Sequence, residues 1–170
     1  IAPHDSQERF EGLGVQVIRA RARFVGPRSV EAGDQRITAR RIVVATGSVP
    51  RVPDLPGLGA VPYLTSDSLW RLRSCPGHLL ILGAGPIGLE MAQAHRRLGA
   101  EVTVVEAGRA LSREDPEAAE IVTSALRAEG IAILEDTRVV RVSEDAGGVA
   151  LEAGDGRVLR GTHLLVATGR

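Results

Sequence analysis

Between residues 78 and 129 the apolar positions switch repeatedly between the periods of strand and helix. His78–Gly83 is a short, almost unbroken apolar run, the pattern of a strand covered on both faces. Pro86–Leu98 spaces Leu89, Met91, Ala92, Ala94 and Leu98 with polar residues between them, which predicts a helix with a buried and an exposed side. Glu101–Glu106 returns to a strand pattern. Asp115–Glu129 predicts a second helix, because Asp115 can cap it, Pro116 suits its first position and Glu117 complements its dipole. The stretch therefore predicts a complete βαβα unit.

Beyond it, Gly130 leads into the apolar Ile131–Leu134, and Arg138–Glu144 then alternates as a strand with one exposed face. Turns at Asp145–Gly148 and at Gly154-Asp155-Gly156 set off Val149–Glu152 and Arg157–Arg160, which predicts a three-stranded meander. Leu164–Ala167 then re-enters the central sheet. An earlier stretch reads alike. Gly14-Val-Gln-Val-Ile18 resembles Gly130-Ile-Ala-Ile-Leu134, alternation follows, and Arg41–Gly47 ends on the same Val-Ala-Thr-Gly as His163–Gly169. The second copy carries a glycine-rich turn 47 residues before Gly130, whereas only 13 residues precede Gly14. The expectation is therefore a chain that starts inside a domain, as its opening without Met also implies. Residues 1–49 are expected as the C-terminal part of a truncated domain and residues 66–170 as a complete one. The prolines and glycines of residues 50–65 are expected as a linker. The half-domain should be loosely held, with exposed sheet edges prone to association.

The fold class predicted is α/β. It combines a Rossmann-like dinucleotide-binding domain, whose parallel sheet carries a three-stranded β-meander crossover, with a truncated piece of a similar domain. Its chemistry centres on Gly83-Ala84-Gly85-Pro86-Ile87-Gly88, a G-x-G-x-x-G between a strand and a helix. Gly83 permits the tight turn, Gly85 lets a pyrophosphate approach the backbone, and Gly88 lets the helix lie close to the sheet. Exposed N–H groups at the helix start bind the phosphates, and Pro86 pre-organises that turn. Glu106 ends the next strand 18 residues after Gly88, where a carboxylate accepts hydrogen bonds from the adenosine ribose and repels a 2′-phosphate. This favours NAD, with NADP possible through Arg109 or Arg113. Glu90 is expected to face the cofactor cleft from the first turn; its other reading is a residue that merely suits the helix dipole.

Composition excludes more than it adds. Hydrophobic residues at 44% and charged residues at 25% describe an ordinary soluble chain. With 21 basic and 21 acidic residues and no net charge, neither nucleic acid nor an anionic membrane is an expected partner. No apolar run is long enough for a membrane span, and no signal peptide is evident, so cytoplasm is the expected location. The single Cys75 excludes an internal disulfide, a dithiol redox pair or a Cys-rich metal site. His4, His78, His95 and His163 show no metal-ligand spacing. Ser112 lacks nucleophile-elbow context, and Trp70 is expected to anchor a short helix onto the sheet.

Three segments together resemble the pyridine nucleotide-disulfide oxidoreductase family. They are Ile42–Ser48 followed by Pro50, Gly83–Glu90 running into Met91-Ala92-Gln93, and Leu164–Arg170. The text from Ala84 to Glu106 is most similar to its dihydrolipoamide dehydrogenase and mercuric reductase-like branch. The resemblance implies that residues 1–49 belong to an FAD-binding domain, with Ala45, Thr46, Gly47 and Ser48 near the flavin nucleotide. It implies NAD(P) contacts at Gly83–Glu90, Glu106, Val139 and Gly169, with Glu90 near the nicotinamide–flavin contact. It further implies a homodimeric parent in which NAD(P)H passes a hydride to FAD, and the flavin then reduces a disulfide or another acceptor. The family's first FAD glycine motif, redox cysteine pair and dimerisation domain are not in this text, so no catalytic residue is assigned and the chain alone is expected to be inactive. Two other readings are a stand-alone nucleotide-binding or redox-sensing module, and a flavin-free dehydrogenase. The latter needs a His, Lys or Tyr acid–base system that is not identifiable here.

Overall fold

A computed structural model describes residues 6–145 and 147–170. The first five residues, His4 among them, and Ala146 of the expected 145–148 turn lie outside the described residues. The chain forms two compact units that divide between Gly47 and Ser48.

In the first unit, helix α1 (Gln7–Gly12) is capped by Ser6, whose hydroxyl accepts from the Arg9 N–H. Strands β1 (Ala22–Gly26), β2 (Ser29–Ala32) and β3 (Gln35–Thr38) form an antiparallel meander, with Ala22 opposite Ala32 and Ser29 opposite Thr38. Ala32 is the one buried residue among those described in this unit. Two expected strands are not formed. Gly14–Ile18 and Ile42–Ala45 are both irregular, and Val43 is 87% exposed. A strand is held by its neighbours' hydrogen bonds and by what covers its faces, and these segments have neither.

The second unit contains the expected βαβα order: β4 (His78–Leu82), α2 (Pro86–Arg97), β5 (Glu101–Val105) and α3 (Pro116–Ala128). Then follow β6 (Ala132–Leu134), the meander β7 (Val139–Asp145), β8 (Gly148–Ala153) and β9 (Val158–Gly161), and finally β10 (His163–Val166). The central sheet is parallel, in the order β10-β4-β5-β6. Its strands are covered on both faces, and successive residues serve different layers. Leu79, Ile81, Val102, Val104 and Leu165 pack with Leu89, Ala92 and Leu126 of the helices. Leu80, Val105, Leu164 and Val166 pack with Val139, Val142, Val149 and Leu151 of the meander. This explains the nearly continuous apolar runs that the sequence shows.

Residues 50–65, expected as a linker, instead run across the second unit as a strap. Leu58 and Val61 are buried in the meander-side core. The Val142 N–H donates to Pro56 O at 2.8 Å. Gly57 has φ +84°, and a Cβ there would meet Val142 O at 1.9 Å, so only glycine lets the strap cross this close. Leu64 then pairs with β10, donating to Leu164 O at 2.7 Å and accepting from the Val166 N–H at 2.8 Å. The expectation for Trp70 is corrected. Its ring is 72% exposed with Nε1 donating to Ser66 O, while its neighbour Leu69 provides the buried anchor. Among the described residues no helix is long and apolar enough to cross a membrane.

Candidate dinucleotide site

The C-terminal ends of the parallel strands open onto a cleft of about 610 Å³, the place where open α/β sheets bind ligands. Two of the three glycines of the 83–88 turn meet a steric demand within the protein. Gly83 has φ +109°, and a Cβ would sit 2.5 Å from Ala167 O. Gly88 lies beneath the turn, where a Cβ would meet Gly83 O at 2.1 Å. At Gly85 a Cβ would meet nothing within 4 Å, so its missing side chain opens the cleft without relieving any contact in the protein. That is the space a phosphate needs to reach the backbone.

The two long helices start differently. Asp115 caps α3 by accepting from the N–H groups of Glu117 and Ala118, at 3.0 and 3.1 Å. Helix α2 begins at Gly85 with no side-chain cap, and Pro86 fills its first position. Its first N–H groups and the positive end of its dipole are left for a ligand, and Gly85, Pro86 and Ile87 line the cleft.

Glu106 lies beside them. Its Oε2 accepts from the Ala84 N–H at 2.9 Å and its Oε1 from the Gly108 N–H at 3.2 Å. The carboxylate is thereby fixed at the cleft wall, and each oxygen retains a lone pair for a further donor. The following loop is secured from β6. Glu135 accepts from the buried Ala110 N–H at 2.8 Å and from Arg127 at 2.6 Å. The Ala110 N–H, more than the Arg127 guanidinium and the nearby Arg109 charge, holds the Glu135 carboxyl below the ordinary glutamate range against the opposing effect of burial.

Of the other expected site residues, Ala84, Val139 and Gly169 line the cleft. Glu90 is exposed and lies outside the lining, with no partner among the described residues. Ala45, Thr46 and Gly47 belong to the first unit, where they are exposed. Ser48 belongs to the second, its hydroxyl accepting from Arg170 Nε at 2.9 Å and its carbonyl from Arg170 Nη2 at 2.7 Å.

Sequence reasoning pointed to Arg109 and Arg113 but missed the arginines that join them at this cleft. Arg51, Arg109, Arg113, Arg138 and Arg170 line it, against Asp54, Glu106 and Glu114. Arg170 is engaged by Asp67 at 2.9 Å. The guanidinium groups of Arg51, Arg109, Arg113 and Arg138 make no hydrogen bond or ion pair among the described residues, as is also true of Arg71 and Arg73 outside the cleft. The cleft thus carries more arginines than acids where the helix dipole already favours an anion. Arg109 and Arg113 share the loop after β5, whereas strand order brings Arg51, Arg138 and Arg170 to them. Among the described residues no group of His, Cys, Asp or Glu could hold a metal ion, and Cys75 is exposed without a partner cysteine.

A family model described as "Pyridine nucleotide-disulphide oxidoreductase" matches residues 6–170. The mercuric reductase of Acidithiobacillus ferrooxidans is 41% identical over 95% of this chain and 31% of its own length. That of Bacillus cereus is 38% identical over 95% of this chain and 26% of its own. Among solved structures, the HOCl-induced flavoprotein disulfide reductase of Escherichia coli in its Cu(II) complex matches with a TM-score of 0.75 and 32% identity. That match covers 96% of this chain and 39% of the other. A ferredoxin reductase from Rhodopseudomonas palustris matches with a TM-score of 0.77 and 25% identity, covering 99% and 46%. The chain therefore spans between a quarter and a third of the length of these curated relatives, at 31% and 26%.

Proposed function

The chain belongs to the pyridine nucleotide-disulphide oxidoreductase family, and from that premise we propose that its second unit is the NAD(P)H-binding part of an FAD-dependent oxidoreductase. In this reading NAD(P)H passes a hydride to the flavin, which reduces a disulfide or another acceptor. The observation that carries it is the uncapped start of α2 beside the open side of Gly85, with Glu106 fixed at the next strand end. Gly83, Ala84, Gly85, Pro86, Ile87 and Gly88 build the pyrophosphate site, Glu106 takes the adenosine ribose, and Val139 and Gly169 complete the walls. Glu90 and the segment Ala45-Thr46-Gly47-Ser48 are assigned to the flavin side. The active protein is read as a cytoplasmic homodimer that includes FAD-binding and dimerisation parts beyond these residues.

NADH is the preferred donor, because a fixed carboxylate at the ribose repels a 2′-phosphate. The unpaired Arg109, Arg113 and Arg138 favour a second reading, in which NADPH is bound despite Glu106. Titration of the chain with NADH and NADPH, followed by nucleotide fluorescence or calorimetry, tests both. Saturable NADH binding with weaker NADPH, and a shift toward NADPH in Glu106→Gln, is the expected result. The reverse preference assigns the arginines as the selector. No binding of either nucleotide by a folded sample overturns the site.

A further inference from the structure

The order of the strands gives the cleft a direction. Along the C-terminal edge it runs from β6 through β5 and β4 to β10. On the reading proposed above, the adenosine ribose lies at Glu106 after β5 and the pyrophosphate at Gly85 after β4. The nicotinamide half then continues toward β10, whose end is Ala167-Thr168-Gly169. Arg51 is fixed at that end. Its N–H donates to Gly169 O at 2.8 Å, and its carbonyl accepts from Thr168 Oγ1 at 2.9 Å. It lines the cleft, and its guanidinium makes no hydrogen bond or ion pair among the described residues. Of the other charges lining this end, Arg170 is neutralised by Asp67, and Asp54 forms no ion pair with Arg51.

We propose that Arg51 makes the site select the reduced over the oxidised dinucleotide. The nicotinamide ring is neutral in NADH and carries a positive charge in NAD⁺, while the pyrophosphate is the same in both. A guanidinium at this end of the cleft therefore repels only the oxidised ring. Such a bias loads the donor and expels the spent nucleotide after hydride transfer. For two charges across a solvated cleft, the difference is about two- to fivefold in relative affinity. The arginines after β5 and β6 do not have this effect, because they face the adenosine half, which is identical in both redox states.

The test is calorimetric titration of the chain and of its Arg51→Ala and Arg51→Lys variants with NADH, NAD⁺ and AMP. Arg51 is exposed and its hydrogen bonds are made by its backbone, so neither variant disturbs the fold. In Arg51→Ala the preference for NADH over NAD⁺ is expected to fall about two- to fivefold. Arg51→Lys should restore most of it, and AMP affinity should stay unchanged. Equal losses for NADH and NAD⁺, or a comparable loss for AMP, overturn the proposal, since the charge would then act on the phosphates or the adenosine. Wild-type binding of NADH with an unaltered ratio in Arg51→Ala defeats the assignment of Arg51 alone. Failure of the wild-type chain to bind NADH defeats it together with the site.

Discussion

Two segments of this chain end in the same four residues and have opposite structures. In the second unit His163–Val166 is strand β10, paired in parallel with β4 and bridged by Leu64 on its other side, with Leu164 and Leu165 wholly buried. In the first unit the matching Arg41–Val44 is irregular, and Val43 and Val44 are 87% and 66% exposed. Both are β-branched or aliphatic runs with high strand propensity, so propensity does not separate them. The difference is a neighbour on each side and a layer on each face. A parallel strand gains its stability from those partners, and a strand-forming sequence without them gains none.

The largest test of this contrast is native-state amide exchange. Residues Leu79–Leu82 lie in the buried sheet and should exchange only through global opening, which in a domain of this size costs on the order of 5–15 kcal/mol. Residues 15–44 carry one buried side chain among those described and should exchange through local opening at small cost, leaving protection several orders of magnitude lower. Uniformly slow exchange across Val15–Val44 in a monodisperse monomer would show that the first unit is held by something other than packing.

A pair of substitutions carries the comparison to single residues. Leu165 and Val43 occupy equivalent places in the two segments. Leu165→Ala removes a fully buried side chain from the helix-side core and is expected to destabilise the second unit by about 2–5 kcal/mol in urea melts. Val43→Ala trims a side chain that touches solvent and should stay within about 0.5 kcal/mol of wild type. Comparable losses from the two would mean that Val43 has a buried partner after all.

The same comparison explains what could be read from the sequence. The βαβα unit, the meander and the glycine turn were legible because each rests on local signals: period, capping residues and positive-φ glycines. Gly83 and Gly88 meet steric demands of the kind their spacing implies, while the bond from the Ala84 N–H to Glu106 is a contact that the spacing does not announce. The strands at Gly14–Ile18 and Ile42–Ala45 were misread because the pattern of a strand reports what it can pair with, not whether the partner is present. The strap was misread for the opposite reason. Prolines and glycines signal a linker, but Leu58 and Val61 among them are core residues, and Gly57 is there for a close crossing over Val142. Arg51 and Arg138 were invisible because they are 87 residues apart and only strand order brings them to one cleft.

The smallest expected effect separates two acidic residues, one in each unit. Glu31 pairs with Arg23 across β1 and β2 at 2.8 Å in a largely exposed position, and Glu31→Gln should cost no more than about 0.5 kcal/mol. Glu135 instead satisfies the buried Ala110 N–H and pairs with Arg127, and Glu135→Gln should cost about 1–2 kcal/mol at neutral pH. Because folding depresses the Glu135 pKa, chiefly through the Ala110 N–H, its contribution is fully present above the ordinary glutamate range. It is lost as pH falls through the lowered value, where the folded protein must also take up the proton. Chemical denaturation from neutral pH into the acid range should therefore show the wild-type and Glu135→Gln curves converging on the acid side. A constant gap at every pH would mean that Glu135 acts by shape alone. The charge would then have no part in holding the loop that carries Arg109 to the cleft.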